Sequence, residues 1–130
     1  MVRNRFLIDT QIFIWGMERN KKLPTSIISI LQNSEYEIFI SVASVWEIVI
    51  KKAKGSLKTP QNLEESIKEA GFKLLSIELS HALGVGKLPF YKDHKDPFDR
   101  VLISQAKVET LILITTDPKI WKYKIPLMKA

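Results

Sequence analysis

The chain has 130 residues, with 20 lysines and arginines against 14 aspartates and glutamates, giving a formal charge of +6. It holds no cysteine, which excludes disulfides, thiolate metal sites and a cysteine nucleophile, and fits a reducing compartment such as the cytoplasm. With 45% hydrophobic and 26% charged residues it is too apolar for a disordered chain, and one globular domain over residues 1–130 is expected.

Taken in order, Phe6-Leu7-Ile8 is a short apolar strand that stops at Asp9. A helix follows over 10–17. Pro24-Thr25-Ser26 opens a second helix whose apolar side is Ile27, Ile28, Ile30 and Leu31. Ile38-Phe39-Ile40 is the next strand. Residues 41–54 form the clearest helix, ended by Gly55, and residues 62–70 form another, ended by Gly71. A weaker strand is expected over 73–77 and a short helix over 79–85. Gly84, Gly86, Pro89 and Pro97 mark 84–97 as an irregular loop. A helix over 97–108, a strand over 111–114 and a short terminal strand near 125–128 complete the chain. Short, continuously apolar strands alternating with helices predict a three-layer α/β/α sandwich with a central parallel sheet. No apolar run is long enough for a membrane span, and Asp9 interrupts the first apolar stretch too early for a signal peptide.

Four acids stand out. Asp9 and Asp117 follow strands, so parallel pairing would bring both to the carboxyl edge of the sheet, where α/β folds bind ligands. Each alone also reads as a helix cap or turn residue. Glu47 shares a stripe with Ser44, Lys51 and Lys54, while Trp46, Ile48, Val49 and Ile50 cover the rest of that helix, which is therefore expected to be mostly buried. Glu47 either faces the cleft or pairs with Lys51 at i, i+4. Asp96 reads as an N-cap with Pro97 at the first helical position. Asp99 heads the apolar stripe of Leu102, Ile103 and Ala106, so its carboxylate points inward and needs a cation that no lysine or arginine of the stripe supplies. Converging carboxylates raise one another's pKa unless a positive charge sits among them. A hard divalent ion, Mg²⁺ or Mn²⁺, suits such oxygens. It activates water and offsets charge on a phosphoryl oxygen, and on a basic protein this suggests phosphodiester hydrolysis. No phosphate-binding glycine loop and no nucleophile elbow competes with this reading. His81 and His94 do not pair by spacing and read as surface residues. Ile12, Trp15 and Ile30 read as core, with partner contact as the alternative.

The blocks Phe6-Leu7-Ile8-Asp9-Thr10, Ser41-Val42-Ala43-Ser44-Val45-Trp46-Glu47-Ile48, Asp96-Pro97-Phe98-Asp99-Arg100 with Leu102-Ile103-Ser104-Gln105-Ala106, and Thr115-Thr116-Asp117-Pro118 resemble the PIN-domain family. The likeness is strongest to VapC-type toxins. It implies an α/β/α fold, a Mg²⁺- or Mn²⁺-dependent endoribonuclease, and an acid set falling on Asp9, Glu47, Asp99 and Asp117, with Asp96 and Thr116 as accessory positions. Gln11 departs from the histidine common in the family after the Asp-Thr pair. The likeness further implies an antitoxin partner and a homodimer. On this reading Lys51, Lys54 and Arg100 flank the acids and would hold the RNA backbone. A non-catalytic binding module, a solitary RNA-processing nuclease and a phosphatase with Asp9 as nucleophile are the rival readings. The last usually wants a second aspartate where Gln11 stands.

Overall fold

A computed structural model describes residues 4–57 and 62–130, so the basic N-terminus lies partly outside the described residues. The described residues form five strands, β1 (Arg5–Ile8), β2 (Glu37–Ser41), β3 (Lys73–Leu75), β4 (Ile112–Thr115) and β5 (Leu127–Lys129). Seven helices join them: α1 (Thr10–Glu18), α2 (Thr25–Gln32), α3 (Val42–Ala53), α4 (Leu63–Glu69), α5 (Leu79–Val85), α6 (Pro97–Glu109) and α7 (Pro118–Trp121). The α7 turn was not anticipated from sequence.

All strand pairs are parallel, in the order β3-β2-β1-β4-β5. β1 is central, with Phe6 opposite both Ile38 and Ile112. Alternate side chains feed two cores, as the pleat requires. Phe6, Ile8, Ile38, Ile40 and Ile114 pack with Ile12, Phe13, Ile27, Ile48 and Ile67 on one face. Leu7 and Leu113 pack with Leu102, Ile103, Ala106 and Ile120 on the other. Both faces are covered by helices, which is why the strands lack polar alternation. The sandwich is thus an α/β/α fold. Ile12 is fully buried, and Trp15 and Ile30 pack against the same core, as the core reading expected.

Helix ends follow local chemistry. Gly55 and Gly71 take positive φ of 74° and 75° just past α3 and α4. There the Ser56 and Phe72 amides reach back to the Lys51 and Ile67 carbonyls. Arg19 and Thr110 close α1 and α6 in the same left-handed region without being glycine. Among the described residues, no helix is long and apolar enough to cross a membrane.

Two expectations need correction. α3 is not mostly buried. Ala43, Ser44, Glu47 and Ile48 face inward, while Val42, Trp46 and Val49 lie at i, i+4 and i+7 on an exposed stripe, with Trp46 57% exposed. The histidines are not surface residues, since His81 and His94 are 0% and 2% exposed. His81 closes the capping box of α5. Its Nδ1 accepts from the Glu78 amide at 2.9 Å, and its Nε2 meets Glu109 at 2.8 Å.

α5 and α6 pack closely because residue 84 is glycine. A Cβ there would collide with Ser104 Oγ, whose hydroxyl donates to the His81 carbonyl at 2.7 Å. We expect Gly84→Ala to cost about 1–3 kcal/mol by overpacking. In a Ser104→Ala background the same change should cost nothing or stabilise, because alanine is the better helix former by about 1 kcal/mol. Urea denaturation of the four proteins checks this, and an equal cost in both backgrounds would refute the contact.

Candidate active site

The fold brings the acids together. β1 and β4 are neighbours and parallel, so their carboxyl ends share one edge. The Asp9 amide donates to the Ile114 carbonyl at 3.1 Å, extending the ladder one residue to the edge itself. Asp9, Glu47, Asp96, Asp99 and Asp117 all line one cleft of about 350 Å³, with Thr10, Gln11, Lys51 and Thr116. A larger groove of about 1270 Å³ lies apart from it, between α1, α2 and α4. Among the described residues that line that groove there is one acid, Glu69.

Each acid has its own restraint. Asp9 caps α1, accepting from the Ile12 amide through Oδ1 at 2.8 Å, and its Oδ2 accepts from Thr115 Oγ1 at 2.5 Å. The Thr115 hydroxyl also accepts from the Asp117 amide at 3.1 Å, tying both strand-end acids to one side chain. Asp96 caps α6 through the amides of Phe98 and Asp99. Asp117 caps α7 through the Lys119 amide at 2.9 Å. The capping roles expected of Asp9, Asp96 and Asp117 therefore exist alongside their place in the cleft. Glu47 is buried on α3 and pairs with the exposed Lys51 at 3.4 Å. α1 and α3 are held in register by Thr10, whose hydroxyl donates to Ser44 at 3.0 Å.

Asp99 points inward as its stripe predicts, and the partner it meets is His94. The Nε2 of His94 lies 3.1 Å from Asp99 Oδ2, and its Nδ1 lies 2.8 Å from the Tyr123 hydroxyl. Reactive oxygens of Asp99 and Asp117 and a ring nitrogen of His94 fall within 4.8 Å of one another, close enough to share one cation. Asp9 and Glu47 border the same cleft from β1 and α3. Arg100 sits elsewhere. Its guanidinium donates to the Pro89 and Val85 carbonyls and to the Tyr123 hydroxyl, so it fastens α6 to the preceding loop rather than facing a ligand. Lys54 is exposed at the end of α3, and Thr116 lies at the cleft wall. Sequence reasoning missed Thr115 and His94. A hydroxyl in the last strand position, two residues before an acid, was the available signal for the first. Only the tertiary fold reveals the second.

The electrostatics are those of crowded, partly dehydrated carboxylates. Burial pushes Asp9 above the ordinary aspartate range against the opposing Thr115 and backbone hydrogen bonds, and Asp117 adds repulsion. Burial likewise raises Asp99 to about 6, with His94 opposing and Asp96 and Asp117 adding to the rise. Such a cleft favours either protons or a cation.

A family model of the PIN domain matches residues 6–125. The chain belongs to the PIN-domain family. No curated protein matches it, but solved structures do. This PIN domain is similar to VapBC2 from Rickettsia felis, solved with a promoter DNA fragment, at a TM-score of 0.68 and 14% identity over 95% of this chain and 97% of that one. It is similar to DNA-bound VapBC from Salmonella typhimurium at 0.68 and 20% over 96% and 97%. A toxin–antitoxin complex from Klebsiella pneumoniae matches at 0.64 and 18% over 95% and 96%. These likenesses establish that this PIN domain shares the fold of those proteins.

Both raised acids hold more protons in the folded chain than in the unfolded one. The cation-free PIN domain should therefore lose stability as pH rises from 3.8 towards about 6. Glu37 and Asp93, lowered by Lys73 and Lys122, act in the opposite sense, their contribution being lost on acidification below 4.5 and 3.8, so the upper part of the window reports the raised acids. We expect urea midpoints in chelator to fall across the window, and Asp99→Asn to flatten the fall. A midpoint that rises with pH would contradict the assignment.

Proposed function

We propose that this PIN domain is a divalent-metal-dependent endoribonuclease, the toxin of a toxin–antitoxin pair. The observation that carries the reading is the convergence of five carboxylates in one cleft at the carboxyl edge of the sheet, on a chain with an excess of six basic residues.

The donor set fits a hard cation. Carboxylate oxygens dominate it, and burial with mutual repulsion leaves them short of positive charge. Asp99 and Asp117 would hold the ion, Mg²⁺ or Mn²⁺, with Asp9 and Glu47 completing the site directly or through water. When bound, the ion supplies water activation and neutralises charge developing on the phosphate. The chain's own part is orientation. Thr115 and the first turn of α1 fix Asp9. Lys51 stands at the cleft wall beside Glu47, and with Lys54 it would contact backbone phosphates. Such contacts supply affinity that falls steeply with salt. Hydrolysis then proceeds without a covalent enzyme intermediate, and Asp9, engaged at both oxygens, is poorly placed to be a nucleophile. The likenesses to VapBC and to a toxin–antitoxin complex support an antitoxin partner.

We expect a panel of structured RNAs to be cut with Mg²⁺ or Mn²⁺ and left intact with EDTA. Asp9→Asn and Asp99→Asn should each lower the rate at least about 100-fold, as expected when preorganised charge is removed from a site. Identical products under all conditions would overturn the proposal. RNA binding without cleavage would favour a non-catalytic module instead.

A further inference from the structure

Four side chains form a continuous hydrogen-bonded chain that ends on Asp99. Arg100 Nη1 lies 3.1 Å from the Tyr123 hydroxyl, Tyr123 lies 2.8 Å from His94 Nδ1, and His94 Nε2 lies 3.1 Å from Asp99 Oδ2. The direction of each proton follows from donor chemistry. A guanidinium can only donate, so the Tyr123 oxygen accepts from Arg100. An ionised Asp99 carboxylate can only accept, so the ring proton of a neutral imidazole belongs on Nε2, and Nδ1 is left to accept the single tyrosine proton. A neutral His94 with an accepting Nδ1 carries its own proton on Nε2, aimed at the Asp99 carboxylate. The donations thus all run one way, from a fixed cation to the anion, and each polarises the next.

We infer that His94 is a positioning residue that fixes Asp99 by donating from Nε2, with Tyr123 and Arg100 selecting that tautomer. The inference rests on the metal-site reading above. The structure gives His94 little freedom for any other role. It is 2% exposed, and it is held by a tight turn in which its amide donates to the Tyr91 carbonyl at 3.1 Å. Its ring packs edge-on against Tyr123, with centroids 5.4 Å apart. Arg100 is itself pinned by the Pro89 and Val85 carbonyls. The bond to His94 engages Asp99 Oδ2, so the carboxylate plane is set and Oδ1 keeps its lone pairs for the cleft. The competing role, His94 as a direct ligand beside Asp99 and Asp117, needs a bare Nε2 lone pair. An Nε2–H directed at a carboxylate has none.

The experiment separates these roles. Long-range ¹H–¹⁵N correlation spectra of the whole cation-free protein near pH 8, where an ordinary imidazole is neutral, report the tautomer. The Nε2–H form is expected in the wild type, and Tyr123→Phe should mix the two forms. Mn²⁺ affinity is measured by calorimetry on the wild type, His94→Ala and His94→Gln. Loss of an outer partner typically weakens metal binding about 10–100-fold, which is expected for His94→Ala. Glutamine keeps a donor where Nε2 was, so His94→Gln should recover most of the affinity. If His94 is a ligand, the glutamine variant fails like the alanine one, and the inference is overturned. An Nδ1–H tautomer, or an unchanged affinity in His94→Ala, also overturns it. If His94→Ala does not fold, the wild-type and Tyr123→Phe spectra decide alone. None of these readouts needs cleavage. A protein that binds Mn²⁺ as expected but cuts no RNA would refute the nuclease reading and leave the positioning role standing.

Discussion

Carboxylates repel one another and lose hydration when crowded, and this constraint organises the cleft end of the molecule. Five of them face one small cleft. The fold tolerates this because each acid keeps a nearby compensating group. Asp9 and Asp96 cap α1 and α6, where the helix dipole favours negative charge. Thr115 bridges Asp9 and the Asp117 backbone, His94 meets Asp99, and Lys51 meets Glu47. These partners hold the carboxylates in place without neutralising most of them. The raised Asp9 and Asp99 mark what is left uncompensated.

Parallel topology decides where that cleft forms. The chain moves outward from β1 to β2 and β3, then crosses back to β4 and β5. The direction of travel reverses between β1 and β4, and loops leave that point to opposite faces of the sheet. Asp9 and Asp117 are the residues leaving those two strands. α3 and α6 then meet above the gap, with Glu47 and Asp99 on their facing sides. The site therefore depends on four separate stretches of chain that only the complete sheet brings together.

Much of this was readable before any coordinates. Short apolar strands and the acids that end them needed only periodicity, because both sheet faces are buried and one residue decides where a strand stops. Asp99 was readable because a charge heading an apolar stripe has one place to go. The misreadings have physical causes too. In α3 the inward side is built from small residues, Ala43 and Ser44, so counting apolar residues pointed to burial while the large ones, Trp46 and Val49, face outward. Arg100 adjoins Asp99 in sequence, but one helical step turns it about 100° away. His94 sits in a stretch without periodicity, so nothing local shows that its ring is buried between Tyr123 and Asp99. Arg19 and Thr110 end helices in a conformation that sequence reasoning reserves for glycine.

The same charge distribution bears on how a nucleic acid would approach. With five of the 14 acids and one lysine turned into the cleft, nine acids are left to balance 19 lysines and arginines over the rest of the chain. The outer surface is therefore more basic than the net charge of +6 suggests, and it attracts a polyanion at long range. The cleft itself repels one, since Lys51 is the single basic residue among the described residues that line it. A phosphodiester can be drawn to the protein by the first field and still be refused by the second. On the proposed function, added positive charge within the cleft would reconcile the two, so that cation occupancy would be a condition for substrate entry as well as for chemistry. Binding to the surface and admission to the cleft are thus separable properties. The first would be set by exposed lysines such as Lys54, and the second by what Asp9, Asp99 and Asp117 would hold between them.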